Sequence, residues 1–155
     1  MAASRTLVLL TVLFALALTV AVRETCPDDW LHSWDLCLWV SNSSKTNWEA
    51  IEDCKRKESD LVYINSNEEN YILAGVMLAM GIDEMWIGLN DIGVNKVYKW
   101  SGHQKVVYTN FLPGKAYNRK RHSEDCVSMK NRTDFKWDSE YCFTYLKFIC
   151  RKDLS

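Results

Sequence analysis

Six cysteines constrain this 155-residue chain more than any other feature: Cys26, Cys37, Cys54, Cys126, Cys142 and Cys150. An even set spread along one domain reads as a disulfide framework when the chain reaches an oxidising compartment. The N-terminus supplies that route. Arg5 gives a positive start, residues 7–20 an apolar run, and Thr19-Val20-Ala21 a small-residue cleavage pattern, so residues 1–21 are expected to be a secretory signal. The run is shorter than the roughly 20 residues that cross a bilayer, and no second one follows. A secreted, extracellular chain without a membrane span is therefore expected. Sequons at Asn42 and Asn131 are N-glycosylation candidates that agree with this route. Zinc is the rival use of the cysteines, but no Cys-x-x-Cys occurs and His32, His103 and His122 are scattered. Spacing alone leaves the cysteine pairing open.

Removing the signal deletes Arg5 and no acid, leaving 18 of the 19 Lys+Arg residues against 20 Asp+Glu. That balance gives no argument for nucleic acid as a partner. Residues 22–155 suit a single domain with its core in 26–151, long enough to bury an apolar interior.

Residues 26–40 alternate turn residues with Trp30, Trp34, Leu36, Leu38 and Trp39, which predicts a short hairpin. Thr46 and Glu49 have capping-box spacing and predict a helix after Thr46, with Trp48, Ile51 and Cys54 on one face. Asp60 ends it, and residues 61–64 read as a strand. Ser66 and Glu69 repeat the spacing before a second helix over 68–80. Tyr71, Ile72, Val76 and Met80 are its expected buried stripe, Gly81 suits its left-handed end, and Met77, Met80 and Met85 read as core filling. Short β-like runs follow at 86–89, 97–100, 106–108, 126–129 and 148–150. Residues 111–124 read as a long surface loop. Helices first and strands afterwards make an α+β pattern.

Trp86-Ile87-Gly88-Leu89, Glu124-Asp125-Cys126-Val127 and Phe148-Ile149-Cys150 stand in an order that resembles C-type lectin-like domains. Trp48-Glu49-Ala50 with Cys54, and Ser66 with Glu69, match the family's two helix openings. The resemblance implies two helices packed on short antiparallel sheets with a long irregular loop. It also implies three disulfides: Cys54–Cys150, Cys126–Cys142, and the Cys26–Cys37 bridge of the long form.

Sugar-binding members hold calcium with a Glu-Pro-Asn or Gln-Pro-Asp triplet, a Glu before a cysteine, and the Asn-Asp after a Trp. Here Lys115, Ala116 and Tyr117 take the triplet positions, Glu124 is kept, and Asp138 and Ser139 follow Trp137. Calcium takes six to eight oxygens. Glu124 and Asp138 would make at most a weak site, with Asn118, Asp134 and Glu140 nearby in sequence to assist, so no calcium cofactor is expected. The same stretch gains Lys115, Arg119, Lys120, Arg121 and His122. Arg and Lys pair with oxyanions, so this is a candidate patch for anionic ligands, against the plainer reading of a solvated loop.

No Ser or Cys nucleophile beside a His, and no phosphate-binding Gly-rich loop, stands in a recognisable pattern, so a binder rather than an enzyme is expected. Residues 107–111 with Pro113-Gly114 resemble perlucin-like proteins of mollusc shell. That resemblance implies a role in extracellular matrix or biomineralization, with glycans, acidic matrix components or a mineral surface as partners. A soluble immune lectin for microbial glycans is the alternative, and an inhibitor of proteases or clotting factors ranks third.

Overall fold

The computed structural model describes residues 25–92, 97–114 and 126–154. The expected hairpin is present: β1 (Leu31–Ser33) returns as β2 (Leu36–Val40), and a Cys26–Cys37 disulfide closes its base. Thr46 caps α1 (Asn47–Arg56). Its hydroxyl accepts the Glu49 N–H, and the Glu49 carboxylate accepts the Thr46 N–H at 2.9 Å, so two orphan donors are satisfied reciprocally. β3 (Asp60–Leu61) leads to α2 (Asn67–Ala79), whose end turns through Gly81 at φ 63°. There follow β4 (Glu84–Asn90), β5 (Lys99–Trp100), β6 (Cys126–Lys130), a 3-10 turn (Asn131–Thr133), β7 (Lys136–Glu140) and β8 (Lys147–Asp153).

The strands run in the order β1-β2-β8-β4-β6-β7, with β3 added to β8 and β5 to β4. The β4–β8 pairing is parallel and the others are antiparallel. Alternation along β4 builds two cores from one strand. Met85, Ile87 and Leu89 join Leu73 and Met77 of α2 in one cluster. Trp86 joins Ala50, Ile51 and Cys54 of α1 in the other. The central sheet thus lies between the helices, and each fully buried large side chain contributes roughly 1.5–3 kcal/mol. Gly88 is needed for this packing: a Cβ there would lie 2.6 Å from the Leu61 carbonyl oxygen.

Disulfides Cys54–Cys150 and Cys126–Cys142 tie α1 to β8 and the start of β6 to the segment after β7. Arg151, only 4% exposed, joins α2 to β8. It donates to both Glu69 carboxylate oxygens, to the Tyr63 carbonyl and to Asp153, and its guanidinium lies 3.9 Å over the Tyr63 ring.

Several sequence expectations need correction. Trp48 is 46% exposed; α1 buries Asn47, Ala50, Ile51 and Cys54 instead. The α2 stripe is Asn70, Leu73, Ala74 and Met77, while Tyr71 and Met80 are exposed. The stripe is rotated because the polar Asn70 belongs to it. The Asn70 amide oxygen accepts the Trp137 indole N–H at 2.9 Å. The second cap is not reciprocal: Ser66 accepts the Glu69 N–H, but the Glu69 carboxylate takes the Asn65 N–H and Arg151. Residues 62–64 and 106–108 are not strands, and β7 is a strand where none was expected.

Candidate functional site

Trp137 sets the position of the site. Its indole is fully buried, with Trp100, Tyr108 and Phe111 packed on it edge to face at 5.6–5.8 Å. Its backbone N–H donates to the Asn110 carbonyl, and its carbonyl accepts the Leu112 N–H, both at 2.9 Å. The segment leading to Pro113-Gly114 is therefore laid along one edge of β7. On the other edge β6 begins at Cys126, opposite Glu140. The described chain thus stops after Gly114 on one side of β7 and resumes at Cys126 on the other.

That stretch lies outside the described residues. With it go Lys115, Tyr117, Arg119, Lys120, Arg121, His122 and Glu124, and the expected signal at 1–21 lies outside them too. Among the other sequence candidates, Asn42 is exposed. Asn131 is half-buried at the start of the 3-10 turn, and Asp134 is exposed at its left-handed end (φ 55°).

Asp138 and Ser139 face opposite sides of β7, as neighbours on a strand must. Ser139 points toward the main core, where its hydroxyl lies 3.3 Å from the Tyr98 hydroxyl. Tyr98 in turn packs on Phe111 at 5.0 Å, so this hydroxyl pair borders the aromatic cluster around Trp137. Asp138 lies on the other face with Glu140; in the ladder with β6 it pairs with Ser128, and Glu140 pairs with Cys126.

Lys130 is the residue that sequence reasoning missed. Its side chain is 6% exposed, and its ammonium lies 3.1 Å from Glu84, 3.4 Å from Asp138 and 3.3 Å from Glu140. Burial opposes the charge, but the hydrogen bond to Glu84 and the charges of Glu84, Asp138 and Glu140 outweigh it, so the Lys130 pKa is raised above its ordinary 10.5. The carboxylates are held in turn. Ser128 donates to Glu84 at 2.7 Å, and the Tyr141 N–H and Thr144 hydroxyl donate to Glu140 at 3.1 and 3.2 Å. A lone Lys after Cys-Val-Ser-Met carries no motif, and only the pairing of β4, β6 and β7 reveals its surroundings.

For a metal ion the donor set at these two positions is poor: one carboxylate facing an ammonium, and one hydroxyl engaged with a phenol. Among the described residues no three His, Cys, Asp or Glu groups are arranged to hold a metal ion. No helix among them is long and apolar enough to cross a membrane.

The chain's residues 43–152 match the lectin C-type domain model, and the chain belongs to that family. It is 30% identical over 141 residues to a C-type lectin of Micrurus corallinus, covering 88% of this chain and 89% of that protein. It is 26% identical over 130 residues to perlucin of Haliotis laevigata, covering 83% of each. The mouse low affinity immunoglobulin epsilon Fc receptor is 32% identical over 128 residues, or 82% of this chain, but the match spans only 37% of the receptor. Among solved structures, the cow CD23 carbohydrate-recognition domain, studied in the presence of a GlcNAc2Man3 oligosaccharide, superposes with a TM-score of 0.75. It is 27% identical, and the match covers 85% of this chain and 98% of that one.

Proposed function

We propose that this chain is a secreted extracellular binding module of the perlucin kind, an extracellular matrix component that works without a bound calcium ion. Its partners are anionic: sulfated glycans, acidic matrix components or a calcified mineral surface. The observation that carries this reading is the engagement of both residues after Trp137, Asp138 by the Lys130 ammonium and Ser139 by Tyr98. The sequence of 115–125 supplies positive charge through Lys115, Arg119, Lys120, Arg121 and His122. Similarity to perlucin over most of both chains supports the matrix role.

The test is retention on a sulfated polysaccharide and on calcium carbonate at low salt, with and without chelator. The wild type is expected to bind equally in both. Replacing Arg119, Lys120 and Arg121 by Gln should weaken binding on the order of 100-fold, from roughly 1 kcal/mol per basic residue at an anionic surface. Binding that ignores these three charges would remove the anionic-ligand reading.

A soluble immune lectin for microbial glycans is the second reading, and similarity to the cow CD23 carbohydrate-recognition domain favours it. A neutral-glycan array separates the two, since a matrix module of this kind should leave it unlabelled.

A further inference from the structure

Lys130 makes one positive charge inside three negative ones. Its ammonium bridges Glu84 at the start of β4 with Asp138 and Glu140 on β7, from its own place at the end of β6. The cluster joins three neighbouring strands on the face of β7 opposite Trp137 and Ser139. Its carboxylates, with the Ser128 hydroxyl hydrogen-bonded to Glu84, are hard oxygen donors of the type that divalent cations take. Yet the positive charge present is carried by the polypeptide itself.

We infer that Lys130 is a tethered cation that does at this corner the work a divalent ion would do, fixing β7 against β4 and β6 without any ion from solution. The inference rests on the metal-independent reading above and adds to it the residue responsible. A tethered ammonium cannot be removed by a chelator. Deleting it leaves three carboxylates crowded in a partly buried corner without their shared counter-charge, a strongly unfavourable arrangement. Such a corner opens or takes up a cation.

The experiment compares the wild type with Lys130→Ala and Lys130→Arg by thermal melting, with chelator and with about 10 mM calcium. Terbium luminescence gives an independent readout of ion binding. The wild type and Lys130→Arg should melt at the same temperature in both conditions. Lys130→Ala should melt lower in chelator and recover about 3–6 °C in calcium, the effect of a site of about millimolar affinity. Adding Asp138→Asn to Lys130→Ala should abolish the recovery and the terbium signal. If Lys130→Ala refolds only in calcium, the refolding yield becomes the readout and supports the inference. Failure to refold in either condition, or a folded variant indifferent to calcium, overturns it. Calcium binding by the wild type that survives Asp138→Asn would overturn the metal-independent reading alone. The additional response of Lys130→Ala would then still decide the role of Lys130.

Discussion

At the scale of single residues, Asn70 shows how a polar side chain organises an apolar interior. It is 3% exposed, and its amide oxygen is the acceptor for the buried Trp137 indole N–H. Asn70→Ala removes that acceptor and leaves the indole donor unpaired away from water. A loss of about 1–3 kcal/mol is expected, read as a lower urea midpoint with an unchanged slope. This residue also explains what the sequence hid. A search for apolar spacing skips Asn70 and takes in the exposed Tyr71, one helical step away, alongside Ile72 and Val76, which do pack on the core. The rewritten positions Asp138 and Ser139 were legible as a departure from the family pattern. Their partners Lys130 and Tyr98 were not, since both contacts depend on strand pairing and loop placement.

At the scale of elements, the first helix was the most legible because its signal is local. Thr46 and Glu49 satisfy each other's backbone donors, whatever the rest of the chain does. Thr46→Ala should destabilise by about 1 kcal/mol. The hydrogen bonds that Glu49 accepts from the Thr46 backbone and side chain hold its carboxyl below the ordinary 4.5. With the folded value below the unfolded one, the cap's contribution is present above about pH 4.5 and fades as pH falls through the folded value. The stability difference between wild type and Glu49→Gln should therefore shrink on acidification across that window, as followed by helix circular dichroism. β7 is the opposite case. Lys136-Trp137-Asp138-Ser139-Glu140 has one apolar residue in five, so its composition reads as loop. It is a strand because β6 and the residues around Phe111 pair with its two edges.

At the scale of the whole molecule, the disulfides order its stability. Cys54 and Cys150 close 96 residues of sequence, whereas Cys26 and Cys37 close 11. On the chain-entropy estimate, replacing the first pair by Ala should cost about 4.7 kcal/mol and replacing the second nearer 3 kcal/mol. Thermal melting of the two double variants would order them, and a reversed order would show that strain outweighs loop entropy. The long bridge also governs what happens under tension. β2 and β8 pair antiparallel, with Leu36 opposite Asp153 and Cys37 opposite Lys152, so a pull on both ends of the described chain opens that ladder one rung at a time. Cys26 passes the load straight to Cys37, and Cys150 passes it straight to Cys54. Everything between Cys54 and Cys150, including the strand with Trp137 and the segment 115–125, lies outside the taut path. Stretched from its two ends, the described chain would give way between Cys37 and Cys54 and beyond Cys150, and the fold enclosed by the longer bridge would outlast the strain.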